Sequence, residues 1–162
     1  MNIAVSTASF GRAFAEKKLA LLDFPALCDR FGLEAMELND FRLQGDWKVI
    51  RELKRRAAKY GLGICAVAIE NNYYRATEAE IQKERQHILN YLDVAYFLGA
   101  PLLRVDTSPY GKGLPDRIIP PVVTHEMAFE RAVRTFRDLM PKAAEKGITF
   151  VLENHGGISR TS

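Results

Sequence analysis

The chain has 162 residues, 48% of them hydrophobic, a net charge of +3 and 27% charged residues. This suits one domain, residues 1–162, with a proper core, and the mild, mixed charge is not the footprint of a nucleic-acid binder. No apolar run approaches the roughly 20 residues of a membrane span, and Met1-Asn-Ile-Ala-Val has neither the basic nor the apolar region of a signal peptide,. A cytoplasmic protein is therefore expected. Cys28 and Cys65 sit in apolar patterns without metal-like spacing and read as reduced core thiols,.

In chain order, five segments read as strands: Ile3–Ser6, Ala35–Leu38, Gly63–Ile69, Leu102–Asp106 and Ile148–Glu153,. Four helical patterns lie between them. The first carries Phe24, Leu27, Cys28 and Phe31 at helical spacing behind Asp23 as an N-cap,. The second follows Asp46 and carries Val49, Ile50, Leu53 and Ala57. The third opens on the capping box Thr77-Glu-Ala-Glu80, carries Ile81, Ile88, Leu92 and Ala95, and stops at Gly99-Ala-Pro101,. The fourth runs from about His125 to Lys146, with Ala132, Phe136, Leu139 and Ala143 on one face and Gly147 as terminator. Pro141 lies inside it and should bend it or cost one backbone hydrogen bond,.

Strand then helix, repeated, predicts an α/β fold with a parallel sheet and right-handed crossovers. Each strand has one bulky face, made by Ile3/Val5, Met36/Leu38, Cys65/Val67/Ile69, Leu103/Val105 and Ile148/Phe150/Leu152. The other face is small or polar and includes Glu37, Arg104 and Asp106. A closed barrel explains this better than an open doubly wound sheet: bulky groups pack under helices and the rest face a narrow interior. Such a barrel needs eight strands and about 250 residues. With five strands, and no helix after the fifth, the expectation is an incomplete (β/α)8 barrel, truncated after strand five. The Pro-rich loop 108–121 reads equally as a lid or as an irregular connection.

Catalytic groups of such barrels sit at the C-terminal strand ends, here Glu37, Asn39, Glu70, Asp106, Glu153 and His155. Several carboxylates on one rim repel unless a divalent cation or an arginine compensates them. Glu153 is the leading candidate, a metal ligand that also moves a substrate proton; the alternative is a loop carboxylate bonded to backbone amides. His155 reads as a substrate-side donor or a surface imidazole. Asp106 binds substrate hydroxyls or partners Arg104. Glu37 and Arg104 read as an inward-facing structural ion pair. Glu70-Asn-Asn72 lines the site or simply ends its strand. Gly156-Gly157 permits a close approach to a ligand or a plain turn. His87 and His125 read as surface or capping groups.

The run Phe150-Val-Leu-Glu-Asn-His-Gly-Gly157 resembles the fifth strand of the xylose isomerase-like TIM barrels, the sugar phosphate isomerase/epimerase superfamily that also contains endonuclease IV. Phe31-Gly-Leu-Glu-Ala-Met-Glu-Leu38 and Leu103-Arg-Val-Asp106 look like its second and fourth strands. The resemblance spans the chain but only about five-eighths of the family's eight-stranded fold. It implies a divalent metal (manganese, magnesium, cobalt or zinc) with Glu153 as its first ligand, and a proton moved through an enediolate by Glu153 and a second glutamate. It also implies a small carbohydrate substrate met by His155, Asp106 and Glu70. The other metal ligands belong to later strands, so the 162 residues alone are expected to be inactive. Two alternatives are a non-catalytic barrel fragment or interaction module, with open sheet edges that allow a homo-oligomer, and an endonuclease IV-like repair enzyme. The latter is disfavoured because strands three and four end without histidines.

Overall fold

The structure, a computed structural model, describes residues 3–107, 120, 122–154 and 158. Five strands form one sheet: β1 (Ala4–Ser6), β2 (Ala35–Asn39), β3 (Gly63–Ile69), β4 (Leu102–Val105) and β5 (Thr149–Val151). The order is β1-β2-β3-β4-β5 and every pairing is parallel. A doubly wound sheet reverses direction at a switch point. Here no reversal occurs, so right-handed crossovers place the helices on one side, as in a barrel wall.

The helices are α1 (Gly11–Ala15), α2 (Phe24–Arg30), α3 (Asp40–Leu43), α4 (Trp47–Lys59), α5 (Glu78–Leu98) and α6 (His125–Glu145), with 3-10 turns at Thr7–Phe10 and Leu21–Asp23. The four expected helical segments are α2, α4, α5 and α6; α1 and α3 are short additions in the loops. Local chemistry sets most boundaries. The Asp46 carboxylate accepts from the Lys48 and Val49 amides at the start of α4. Thr77 and Glu80 form a reciprocal capping box on α5, and Gly99 ends that helix at φ 79°, a conformation costly for residues with a Cβ. At α2, Asp23 holds the N-cap position without a side-chain cap bond. Its carboxylate is drawn instead to Arg56, 3.1 Å away on α4. α6 continues through Pro141 to Glu145. An exposed proline costs it one backbone donor without breaking it.

The main core joins sheet to helices. Met36, Leu38, Val67, Ile69, Leu103 and Val105 are buried against Ile50, Leu53, Ile88, Leu92, Ala95, Leu139 and Ala143. The bulky strand face was thus correctly read, with three exceptions. Cys65 is only half-buried, and Ile64 takes its place in the core. The cause is a register shift: Met36 pairs with Ile64 but Glu37 pairs with Ala66, so Cys65 is the extra residue of a β-bulge. Its thiol lies 3.5 Å from the Met36 carbonyl. Ile3 and Leu152 are exposed because they flank the two outer strands. Phe31 falls just past the end of α2 and is also exposed.

Candidate active site at the strand ends

At the C-terminal end of the sheet, the first polar contacts tie strands together. The buried Asn39 side-chain carbonyl accepts from Ser6 Oγ (3.1 Å), Thr7 Oγ1 (2.7 Å) and the Ala8 amide (3.0 Å), while the Asn39 amide donates to Thr7 Oγ1 at 3.1 Å. A side-chain oxygen so fully used is a clamp between β1 and β2, because a ligand donor would have to displace bonds already made to it.

The next residue, Asp40, was missed by sequence reasoning. It is buried, and its carboxylate accepts from the Phe41 amide (2.7 Å), the Glu70 amide (3.1 Å) and His87 Nε2 (2.8 Å). The one local signal was an acid directly at a strand end. His87, read as a surface group, is Asp40's partner from α5. His125, read the same way, has Nδ1 2.8 Å from the Tyr74 hydroxyl.

After β3, Glu70 is exposed but its surroundings are not neutral. Partial loss of water, then the negative charges of Asp40 and Asp106, push its carboxyl above the ordinary glutamate value, against a smaller opposing pull from Arg104,. The two residues that follow are structural. Buried Glu84 of α5 accepts from Asn71 Nδ2 (3.1 Å) and the Asn72 amide (3.2 Å), and pairs with Arg75 at 2.7 Å. Arg131 of α6 grips the same loop through the Arg75 carbonyl at 2.7 Å. These bonds hold the β3–α5 loop rigid beside Glu70.

β4 and β5 supply the charged centre. Arg104 forms an ion pair with Glu153 and a second, at 3.6 Å, with Asp106. Asp106 is almost fully buried, Arg104 is 21% exposed and Glu153 39% exposed. The expected Glu37–Arg104 pair does not form among the described residues; Arg104 turns toward the strand ends instead, where two carboxylates outweigh one. The 104–106–153 arrangement brings the expected proton-moving carboxylate Glu153 and one expected substrate-side group, Asp106, onto Arg104, with Glu70 close enough to feel both Asp106 and Arg104. His155, Gly156, Gly157 and all of the 108–121 loop except Pro120 lie outside the described residues.

A cation was the other remedy for crowded carboxylates. Among the described residues, no group of three or more His, Cys, Asp or Glu is arranged to hold one. Glu153 offers a partly exposed oxygen pair, but Arg104 already engages it. The described residues therefore do not by themselves fit a metal centre.

No helix among the described residues is long and apolar enough to cross a membrane. No curated protein matches the chain in sequence. Solved structures do match in shape. A D-psicose 3-epimerase from Clostridium cellulolyticum H10, solved with D-tagatose, superimposes with a TM-score of 0.71 at 17% identity, over 94% of this chain and 52% of that one. A 3-keto-D-glucoside 4-epimerase from E. coli gives 0.64 at 16% identity, over 82% and 50%. A D-allulose 3-epimerase from Methylomonas sp., in complex with D-allulose, gives 0.63 at 20% identity, over 81% and 44%. The chain thus spans about half the length of the structures it matches. At these identities the likeness is one of fold. The family model described as xylose isomerase-like TIM barrel matches residues 25–161, so the five parallel strands, the one-directional strand order and the charged strand ends belong to a member of the xylose isomerase-like TIM barrel family.

Proposed function

We propose that this chain carries part of the active site of a carbohydrate isomerase or epimerase, with Glu153 as the carboxylate that moves the substrate proton. The observation that carries this reading is the meeting of Asp106, Arg104 and Glu153 at the ends of β4 and β5, beside Glu70. A hydrogen on a carbon next to a carbonyl is removed by a carboxylate positioned over it, leaving an enediolate. Return of the proton to the other face gives an epimer, and return to the neighbouring carbon gives an isomer. In this reading Arg104 fixes the Glu153 carboxylate in place, Asp106 and Glu70 accept bonds from substrate hydroxyls, and His155 donates to the substrate. The likeness to sugar epimerases supports the reaction class.

A divalent cation (manganese, magnesium, cobalt or zinc) would need, besides Glu153, donors beyond the described residues. When bound, such an ion would polarise the substrate carbonyl. The test uses the whole protein with D-fructose and D-psicose, which differ only at the carbon next to the carbonyl, followed by chromatography. Interconversion by the native protein and a loss of about 1,000-fold or more in Glu153→Gln are expected, since general-base groups contribute roughly 100- to 10,000-fold. Turnover retained in a folded Glu153→Gln protein would sink the assignment.

A further inference from the structure

A pocket on the helix layer is not used by the site above. It lies where α3, the start of α4 and the middle of α5 meet, and its volume is about 600 Å³, in the range that takes small molecules. Its wall nearest the sheet is made by the Asp40–His87 pair and Tyr91. Tyr91 is fixed there, because its hydroxyl donates to the Asp40 carbonyl (3.1 Å) and accepts from the Gly45 amide (3.0 Å). The lining also includes two aromatic rings, Phe41 and Trp47, which are 41% and 39% exposed.

The ligand class follows from charge and shape. Among the described lining residues none is Lys or Arg, so a phosphate or carboxylate ligand meets no counter-charge. A cationic ligand fares little better, because both lining carboxylates are already engaged. Asp40 accepts from two amides and His87, and Asp93 is paired with Lys146 at 3.0 Å. What remains is amide chemistry from Gln44 and Asn90, which donates and accepts, beside partly exposed rings,. Asn90 takes Gln86 Nε2 on its carbonyl at 2.8 Å, which occupies one of that oxygen's two lone pairs and leaves its N–H groups for donating. Rings that offer apolar area next to amides suit a molecule with one C–H face and a hydroxyl-bearing edge.

We propose that this pocket binds a neutral polyhydroxylated molecule, a free sugar or sugar alcohol, stacked on Trp47 and hydrogen-bonded to Asn90 and Gln44. The site is separate from the strand-end centre, although Asp40 joins the two by holding both His87 and the Glu70 amide. It stands independently of the isomerase reading.

Trp47 is the chain's one tryptophan, so fluorescence reports on this pocket directly. The titration uses xylitol and D-fructose, with inorganic phosphate and choline as charged controls. A saturable change with xylitol or D-fructose and none with the controls is expected. Affinity falls about tenfold in Asn90→Leu, the scale of one lost hydrogen bond, and is unchanged in Glu153→Gln. Gln44→Gly is a second variant; it suits the left-handed backbone at that position, φ 50°, and weakens binding similarly. The proposal is overturned by a non-saturating response, by a response to phosphate or choline alone, by an affinity that both pocket variants leave intact, or by one that Glu153→Gln abolishes.

Discussion

Arg104 is the residue on which the site turns. Among the described residues its carboxylate partners are Asp106, just past the end of its own strand, and Glu153, 49 positions away, and no local pattern encodes that choice. The polar strand face was readable because alternation places Arg104 and Asp106 on one side; which acid the guanidinium meets depends on how β4 and β5 are juxtaposed. The same limit hid Asp40 and His87, which lie 47 positions apart on a strand end and a helix. Glu70 offers a test at this scale. Its carboxyl is held above the ordinary value in the folded chain, so the folded state binds more protons than the unfolded state over that interval. Stability therefore falls as pH rises from the ordinary glutamate value through the raised one, and the loss is complete above it. Glu70→Gln removes the loss. Its urea midpoint should exceed the native one at pH 7, and the gap should close as pH falls below about 4, where unfolded glutamates are protonated. A gap that persists there would show that the raised value is not the cause.

Helix and strand boundaries were more legible, because caps and turns act over three or four residues. Asp46, Thr77 with Glu80, and Gly99 all stand where the structure uses them. Asp23 has the right residue type at the right place, yet Arg56 claims its carboxylate, a contact between helices that propensity does not encode. The Cys65 bulge failed for a related reason. Period-2 alternation holds along an isolated strand, but pairing with β2 inserts one residue and moves Ile64 to the helix side,. α5 spans 21 residues and carries both Glu84 and His87 to the strand ends, so its first turn matters beyond itself. Thr77→Ala should lower stability by about 1 kcal/mol, the usual cost of a lost N-cap. Urea unfolding measures it, and an unchanged midpoint would show that Glu80 or water replaces the cap.

At the scale of the molecule, strand-then-helix repetition and one bulky strand face were enough to anticipate the family's architecture. The sheet that results is a wall of five parallel strands in chain order, whose charged residues gather at one end because every strand points the same way. Glu70, Asp106 and Glu153 follow or lie near the ends of three successive strands, which is why residues more than 80 positions apart gather at one end of the sheet. In the proposed function these carboxylates serve proton transfer at carbon, with Glu153 as the group that carries it.

The most direct measurement is solvent isotope exchange, with the whole protein incubated in deuterium oxide with each ketose and the sugar recovered for proton NMR. Deuterium is expected at the carbon next to the carbonyl with the native protein, and none with Glu153→Gln. Sugar converted with no deuterium in it, by a protein whose Glu153→Gln variant works equally well, would contradict it.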